Sequence, residues 1–278
     1  MSEVKISAAD VKQLRDQTGA GMLDCKKALA EAEGDFEKAI EILRKKGQKL
    51  SLKRAEREAK EGVVYALVSD DAKKGVLVKL SCETDFVAKN SDFVELVKRI
   101  AHTALDAFPA DKDALQDLSF DGTTVRDKVI EQVGVIGEKI ELAAYEHLEA
   151  PQVVSYIHMG YKAGVIVGLN KDNGQFTDAG KDVAMQIAAM KPIAVDKDGV
   201  DQTVVDKEIE IGREQARMEG KPDAIIEKIA LGKLNKFFKE NTLLNQDFVK
   251  DSKQTVGHYL KSLDGELTVQ DFRHVMLG

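Results

Sequence analysis

A strand–turn–strand pattern occurs twice in this chain, and the duplication constrains the fold more than any other feature. Val63-Val-Tyr65-Ala-Leu-Val followed by Gly75-Val-Leu-Val-Lys-Leu80 returns as Val154-Ser-Tyr156-Ile-His-Met followed by Gly164-Val-Ile-Val-Gly-Leu169. Each copy reads as a β-hairpin. A hairpin alone buries too little surface to be stable, so each must be covered by helices. Apolar residues at helical spacing follow both copies. They are Phe93, Leu96, Val97, Ile100, Ala101 and Ala104 after the first, and Val183, Ala184, Ile187 and Ala188 after the second. The fold class is therefore α+β, with a core of two related hairpin-plus-helix subdomains.

The segment before the first hairpin is helical. Ser7 with Asp10 gives a capping-box start, and Val11, Leu14 and Thr18 keep helical spacing up to a Gly19 stop. Met22, Cys25, Ala28 and Leu29 mark a second helix ending near Gly34. Asp35 can cap a third, with Phe36, Ala39, Ile40 and Leu43 on its apolar face and Gly47 beyond it. This is an N-terminal three-helix domain of the ubiquitin-associated type over residues 1–47. Residues 48–61, rich in Lys and Arg, read as a charged linker or an exposed helix, since they lack the aromatics that stack on bases. The first core subdomain is expected over 62–150, with a helix from Val125 to Leu142 interrupted around Gly134 and Gly137 and a strand near Ile140 to Tyr145. The second is expected over 151–202. Thr203 to Met218 and Ala224 to Phe238, joined through Pro222, form a helical hairpin over 203–240 that packs on its own core or on another subunit. Residues 241–278 complete the core with a helix from Thr255 to Leu260 and a last strand ending at Met276.

Function classes are narrowed mainly by what is missing. With 41 basic and 48 acidic residues the net charge is −7, which disfavours a nucleic-acid binder as a whole. No stretch is apolar enough to span a bilayer and no signal peptide is recognisable, so a cytoplasmic location is the default. Cys25 and Cys82 are too few for a disulfide framework and have no metal-ligand spacing; Cys25 lies on the apolar face of its helix as a core thiol. There is no GxxxxGK[ST] phosphate loop, because Gly220-Lys221 is followed by Pro222, and no GxSxG, HExxH or CxxC. His102, His147, His158, His258 and His274 are scattered. No cofactor is expected, and a binding protein is favoured over an enzyme.

One segment stands out as a binding element. Ser81-Cys-Glu-Thr-Asp-Phe-Val-Ala-Lys-Asn90 leaves the first hairpin as a turn carrying Phe86 beside Asp85. Two readings fit: an exposed aromatic anchor on a rigid turn, or a lid folded back on its own core. A second segment, Leu14-Arg-Asp-Gln-Thr-Gly-Ala-Gly-Met-Leu-Asp-Cys-Lys-Lys-Ala-Leu29, adds the decisive context. Together the two resemble the bacterial elongation factor Ts family, the guanine-nucleotide exchange factors for the translational GTPase elongation factor Tu.

The resemblance runs from about Val11 to the C-terminal strand. It implies a three-helix N-terminal domain, a core of two related halves, a dimerisation hairpin and a C-terminal module. It also implies contacts with the GTPase at Arg15, Met22, Leu23 and Lys26, at Thr84, Asp85, Phe86 and Val87, at Ile136 and Gly137, at His158, and at Val249. Asp85 and Phe86 would act near the partner's magnesium and switch region. Lys250 stands where some relatives have an apolar residue. Longer relatives continue into a further helix that touches the partner, a contact the resemblance does not carry to this chain, whose last residue is Gly278. The alternative class is a helical interaction adaptor whose N-terminal bundle binds ubiquitin-like or peptide partners.

Overall fold

A computed structural model gives the structure of residues 6–172 and 174–278. The chain opens with α1 (Ala8–Thr18), α2 (Met22–Glu31) and α3 (Phe36–Arg54). Ser7 caps α1 in a full capping box with Asp10, and Gly19 ends it in the left-handed conformation at φ 70°. Asp35 caps α3 by accepting from the Lys38 N–H. Leu14, Cys25, Leu29 and Ala39 are buried together and hold the three helices as one bundle.

Two expectations at the bundle's exit are corrected. Gly47 does not end the third helix, and of the two readings of the segment from 48, a linker or an exposed helix, the helix holds as far as Arg54 and the linker does not. Helix α3 continues to Arg54 because its second half has a partner, α7 (Val125–Ile136), and Leu50 packs on the first core. Gly47 and Gly134 make the crossing close. A Cβ on Gly134 would sit 3.0 Å from the Gly47 Cα, and one on Gly47 would sit 3.1 Å from the Ile130 carbonyl oxygen. Gly134 therefore lies inside a continuous helix rather than interrupting it; only Gly137, at φ 81°, stops the helix.

Strands β1 (Glu61–Val68) and β2 (Lys74–Cys82) form the first hairpin, and the chain then runs through α4 (Asp85–Ala88), α5 (Ser91–Ala107) and α6 (Lys112–Asp117). The expected open turn from Ser81 to Asn90 is thus shorter: Ser81 and Cys82 still belong to the strand, and Asp85–Ala88 form one helical turn. A small hairpin, β3 (Ser119–Phe120) and β4 (Thr123–Thr124), leads into α7, and β5 (Glu141–Glu149) follows. The second half repeats the plan with β6 (Gln152–His158), β7 (Ala163–Leu169) and α8 (Thr177–Met190). The hairpin α9 (Gln202–Met218) and α10 (Asp223–Asn241) comes next. The chain closes through β8 (Asp247–Phe248), β9 (Asp251–Thr255), α11 (Val256–Leu263) and β10 (Val269–Met276).

The repeat extends to a third strand that sequence similarity does not reveal. Strand β5 pairs antiparallel with β2, and β10 pairs antiparallel with β7, giving sheets β1-β2-β5 and β10-β7-β6. Tyr65 stands opposite Val78, whereas Tyr156 stands opposite Val165, two residues earlier in the repeated run. A shift of two preserves the face, and both tyrosines still point toward the helices.

The two sheets lie back to back, with helices on both outer faces. Val64, Ala66, Leu77, Val153 and Ile166 fill the space between the sheets. Gly164 lets them approach, since a Cβ there would meet Leu77 at 2.8 Å. Val63, Val76, Val78 and Leu80 pack outward on α5 and α7, and Val165, Val167 and Leu169 pack on α8 and α11. Burial on both faces explains why these strands read as continuous apolar runs. The hairpin α9–α10 touches the rest mainly at its base and is closed internally, with Gly212 against Ala230 and an Arg213–Glu227 ion pair at 2.8 Å. Among the described residues no helix is long and apolar enough to cross a membrane.

Candidate partner-binding surface

Helix α4 is a single turn, and its fold is dictated by its first residues. Thr84 is the N-cap: its hydroxyl accepts from the Val87 N–H at 3.4 Å. Asp85 follows, in the position that suits a negative charge at a helix start, and its carboxylate is held at 2.6 Å by Lys89 one turn later. That hydrogen bond from Lys89 holds the Asp85 carboxyl below its ordinary range. Val87 and Ala88 pack on the first core. Phe86 points the other way and is 83% exposed. It does not cover the core, so of the two readings of this side chain the lid is excluded.

The turn is fastened to the end of α7 by a reciprocal set of hydrogen bonds. The Glu138 carboxylate accepts from the Glu83 N–H at 3.1 Å, from the Thr84 N–H at 3.0 Å and from the Thr84 hydroxyl at 2.6 Å. In return the Glu83 carboxylate accepts from the Lys139 N–H at 2.6 Å. Arg54, at the end of α3, and Arg57 donate to the two Glu83 oxygens at 2.8 and 3.0 Å. Desolvation pushes the Glu83 carboxyl up, but these donors outweigh it and the net shift is downward. Lys139 completes the joint by donating to the Ala55 and Arg57 carbonyls at 3.0 and 2.9 Å.

Beside the turn lies a groove of about 820 Å³ between the bundle and the first half of the core. Gln17 and Thr18 at the end of α1 form one wall, Phe86 and Val87 the other, and Val135 and Ile136 lie along α7. The expected residues are thus brought together only in part. Phe86, Val87 and Ile136 share this groove, and Thr84 enters it while its hydroxyl turns inward to Glu138. Gly137 is the adjoining helix stop. Arg15, Met22, Leu23 and Lys26 are exposed on the bundle, and Leu23, at 74% exposure, is no core residue.

His158 and Val249 lie on the second half of the core, away from the groove. His158 is half-buried, with its Nδ1 3.0 Å from the Tyr156 hydroxyl. Val249 is 50% exposed just after β8, where its N–H donates to the buried Gln186 side chain at 2.9 Å.

Sequence reasoning missed Glu83, Glu138, Lys139, Arg54 and Gln186. No short-range pattern marks them, because each acts across a long stretch of chain. The nearest signal was Gly137, whose helix-stopping role fixes where Glu138 begins. The thiols offer no nucleophile: burial pushes Cys82 up to about 12 and also raises Cys25. Burial lowers His274. The groove therefore presents an apolar ring and hydrogen-bonding groups, and the Asp85–Lys89 pair stands on the turn beside it; these are means of recognition.

Residues 83–278 match the family model described as Elongation factor TS. The chain belongs to the elongation factor Ts family. It is 53% identical over 274 residues to "Elongation factor Ts" of Christiangramia forsetii, covering 99% of both chains. Its identity to the protein of that name from Amoebophilus asiaticus is also 53%, over 98% of this chain and 99% of the relative. The Cytophaga hutchinsonii relative gives 53% over 275 residues. These alignments include the N-terminal bundle, which the family model leaves out. The elongation factor Ts match also begins at Glu83, the first residue of the fastened turn. Membership makes the chain a translation elongation factor.

Proposed function

We infer that the chain binds the GTPase elongation factor Tu in the cytoplasm and accelerates release of its GDP. The observation that carries this reading is Phe86, 83% exposed on a turn fastened by Glu83 and Glu138 at the edge of a groove. A large apolar side chain kept in water by a rigid support gains its stabilisation only when a partner covers it.

The bundle residues Arg15, Met22, Leu23 and Lys26 dock on the nucleotide-binding domain of the GTPase. Docking presents Phe86 and Asp85 to the elements around the nucleotide's magnesium, with Ile136 and Gly137 beside them. His158 and Val249 reach a second part of the partner from the other half of the core. The partner's conformations with and without GDP differ, and this chain binds the nucleotide-free one better. Linkage then requires that its binding weaken GDP by the same factor. No covalent bond changes, so the chain is an exchange factor rather than an enzyme, and GTP loads the vacated site. The hairpin α9–α10, with Met218 87% exposed at its tip, is the surface we assign to a second copy of the chain.

The test is release of a fluorescent GDP analogue from elongation factor Tu with this protein at substoichiometric amounts. Many turnovers of release per molecule support the reading. Binding without acceleration identifies an adaptor instead.

A further inference from the structure

We propose that Glu138 is a positioning residue for Phe86, acting through Thr84 and not by touching the partner. The inference rests on the exchange reading above and adds to it the part that sets the pose of the aromatic ring. Helix α4 has four residues, none of them buried. One turn of helix does not hold itself, because nucleation costs more than a single hydrogen bond returns. Val87 and Ala88 pack against the first core, and the remaining constraint is imposed at the start of the turn.

That start is Thr84, and three donors there converge on one carboxylate: two backbone N–H groups and the Thr84 hydroxyl. With its proton directed to Glu138, the hydroxyl presents a lone pair to the Val87 N–H, which is the cap that shapes the turn. A carboxylate accepts from all three at once, both N–H groups on one oxygen and the hydroxyl on the other. Glu138 also has a fixed origin, immediately after the left-handed stop at Gly137. The Glu83 carboxylate closes the same joint from the opposite side through the Lys139 N–H and Arg54. The direction of Phe86 is therefore set by the end of α7 and the end of α3, together with the packing of Val87 and Ala88 on the first core.

The experiment measures GDP release from elongation factor Tu for Glu138→Ala, Phe86→Ala and the double variant, with the factor titrated to saturation. Glu138→Ala is expected to lower the saturating rate roughly 10-fold. The half-saturating concentration should change far less, because the bundle still docks. In the Phe86→Ala background, Glu138→Ala is expected to cost nothing more, since a positioning residue has no role once its target is gone. Amide exchange on the free protein should quicken at Thr84 and Val87 in Glu138→Ala.

Additive losses in the double variant, or unchanged amide exchange at Thr84 and Val87, overturn the proposal while leaving the exchange reading intact. Full exchange by Phe86→Ala overturns this proposal and the role given to Phe86, whereas absence of accelerated release by the wild type overturns the exchange reading. Should Glu138→Ala fail to fold, Thr84→Val breaks the same link without removing a charge and must show the same non-additivity. Thr84→Ser keeps the hydroxyl and must keep the coupling, so that Glu138→Ala costs as much in that background as in wild type.

Discussion

The Thr84 hydroxyl donates a 2.6 Å hydrogen bond to the Glu138 carboxylate, joining residues 54 positions apart in sequence. This bond, with its reciprocal partner from the Lys139 N–H to Glu83, ties the turn that carries Phe86 to the end of α7. Of the joint's carboxylates, Glu83 gives it a pH dependence.

The Glu83 carboxyl lies below its ordinary value of 4.5 because Lys139, Arg54 and Arg57 donate to its charged form. A depressed carboxylate binds its proton more readily in the unfolded chain. Its contribution is therefore fully present above pH 4.5 and is lost as the pH falls through the lower, folded value. Thermal unfolding of wild type and Glu83→Gln should differ at neutral pH, with the variant less stable. The difference should shrink as the pH drops below 4.5.

The crossing of α3 and α7 leaves no room for a side chain at Gly134, whose Cβ would lie 3.0 Å from the Gly47 Cα. Gly134→Val is expected to destabilise by about 1–3 kcal/mol through overpacking, beyond any change in helix propensity. Urea denaturation measures it, and an unchanged midpoint would show that the helices separate at no cost.

Because α3 is continuous to Arg54, the bundle is not hung on a flexible tether. Removing residues 1–47 should leave a core that still unfolds cooperatively, because the first and second core clusters draw on no residue before Leu50. Its melting temperature should fall, since the face of α7 that Gly47 covers becomes exposed. Affinity for the GTPase should fall as well, with Arg15, Met22, Leu23 and Lys26 gone. Loss of the cooperative transition would mean that the bundle is part of the core's own folding unit.

Elements with a local signature were legible in the sequence, and those made by tertiary pairing were not. Ser7, Asp35 and Pro222 announced helix starts that the structure places at Ala8, Phe36 and Asp223. The duplicated hairpins were visible because buried strands need unbroken apolar runs. Helix α3 was cut short at Gly47 because a glycine in sequence looks like a stop, whereas here it marks a close approach to Gly134. The third strand of each sheet escaped the repeat because β5 and β10 share no pattern beyond their place in the sheets. At the site, Phe86 was conspicuous as an aromatic beside an acid. Glu138 was one glutamate among many until folding brought it to Thr84.

Phe86→Ala tests the central claim most directly, with melting and GDP release measured on the same sample. Truncation removes apolar area that is buried only in the complex, worth roughly 1.5–3 kcal/mol. At about 1.4 kcal/mol per tenfold, the release rate should fall on the order of 10- to 100-fold. The melting temperature should barely move, because the side chain is 83% exposed in the free protein. Normal GDP release by the folded variant would contradict the account, as would a large drop in melting temperature with undiminished release per folded molecule.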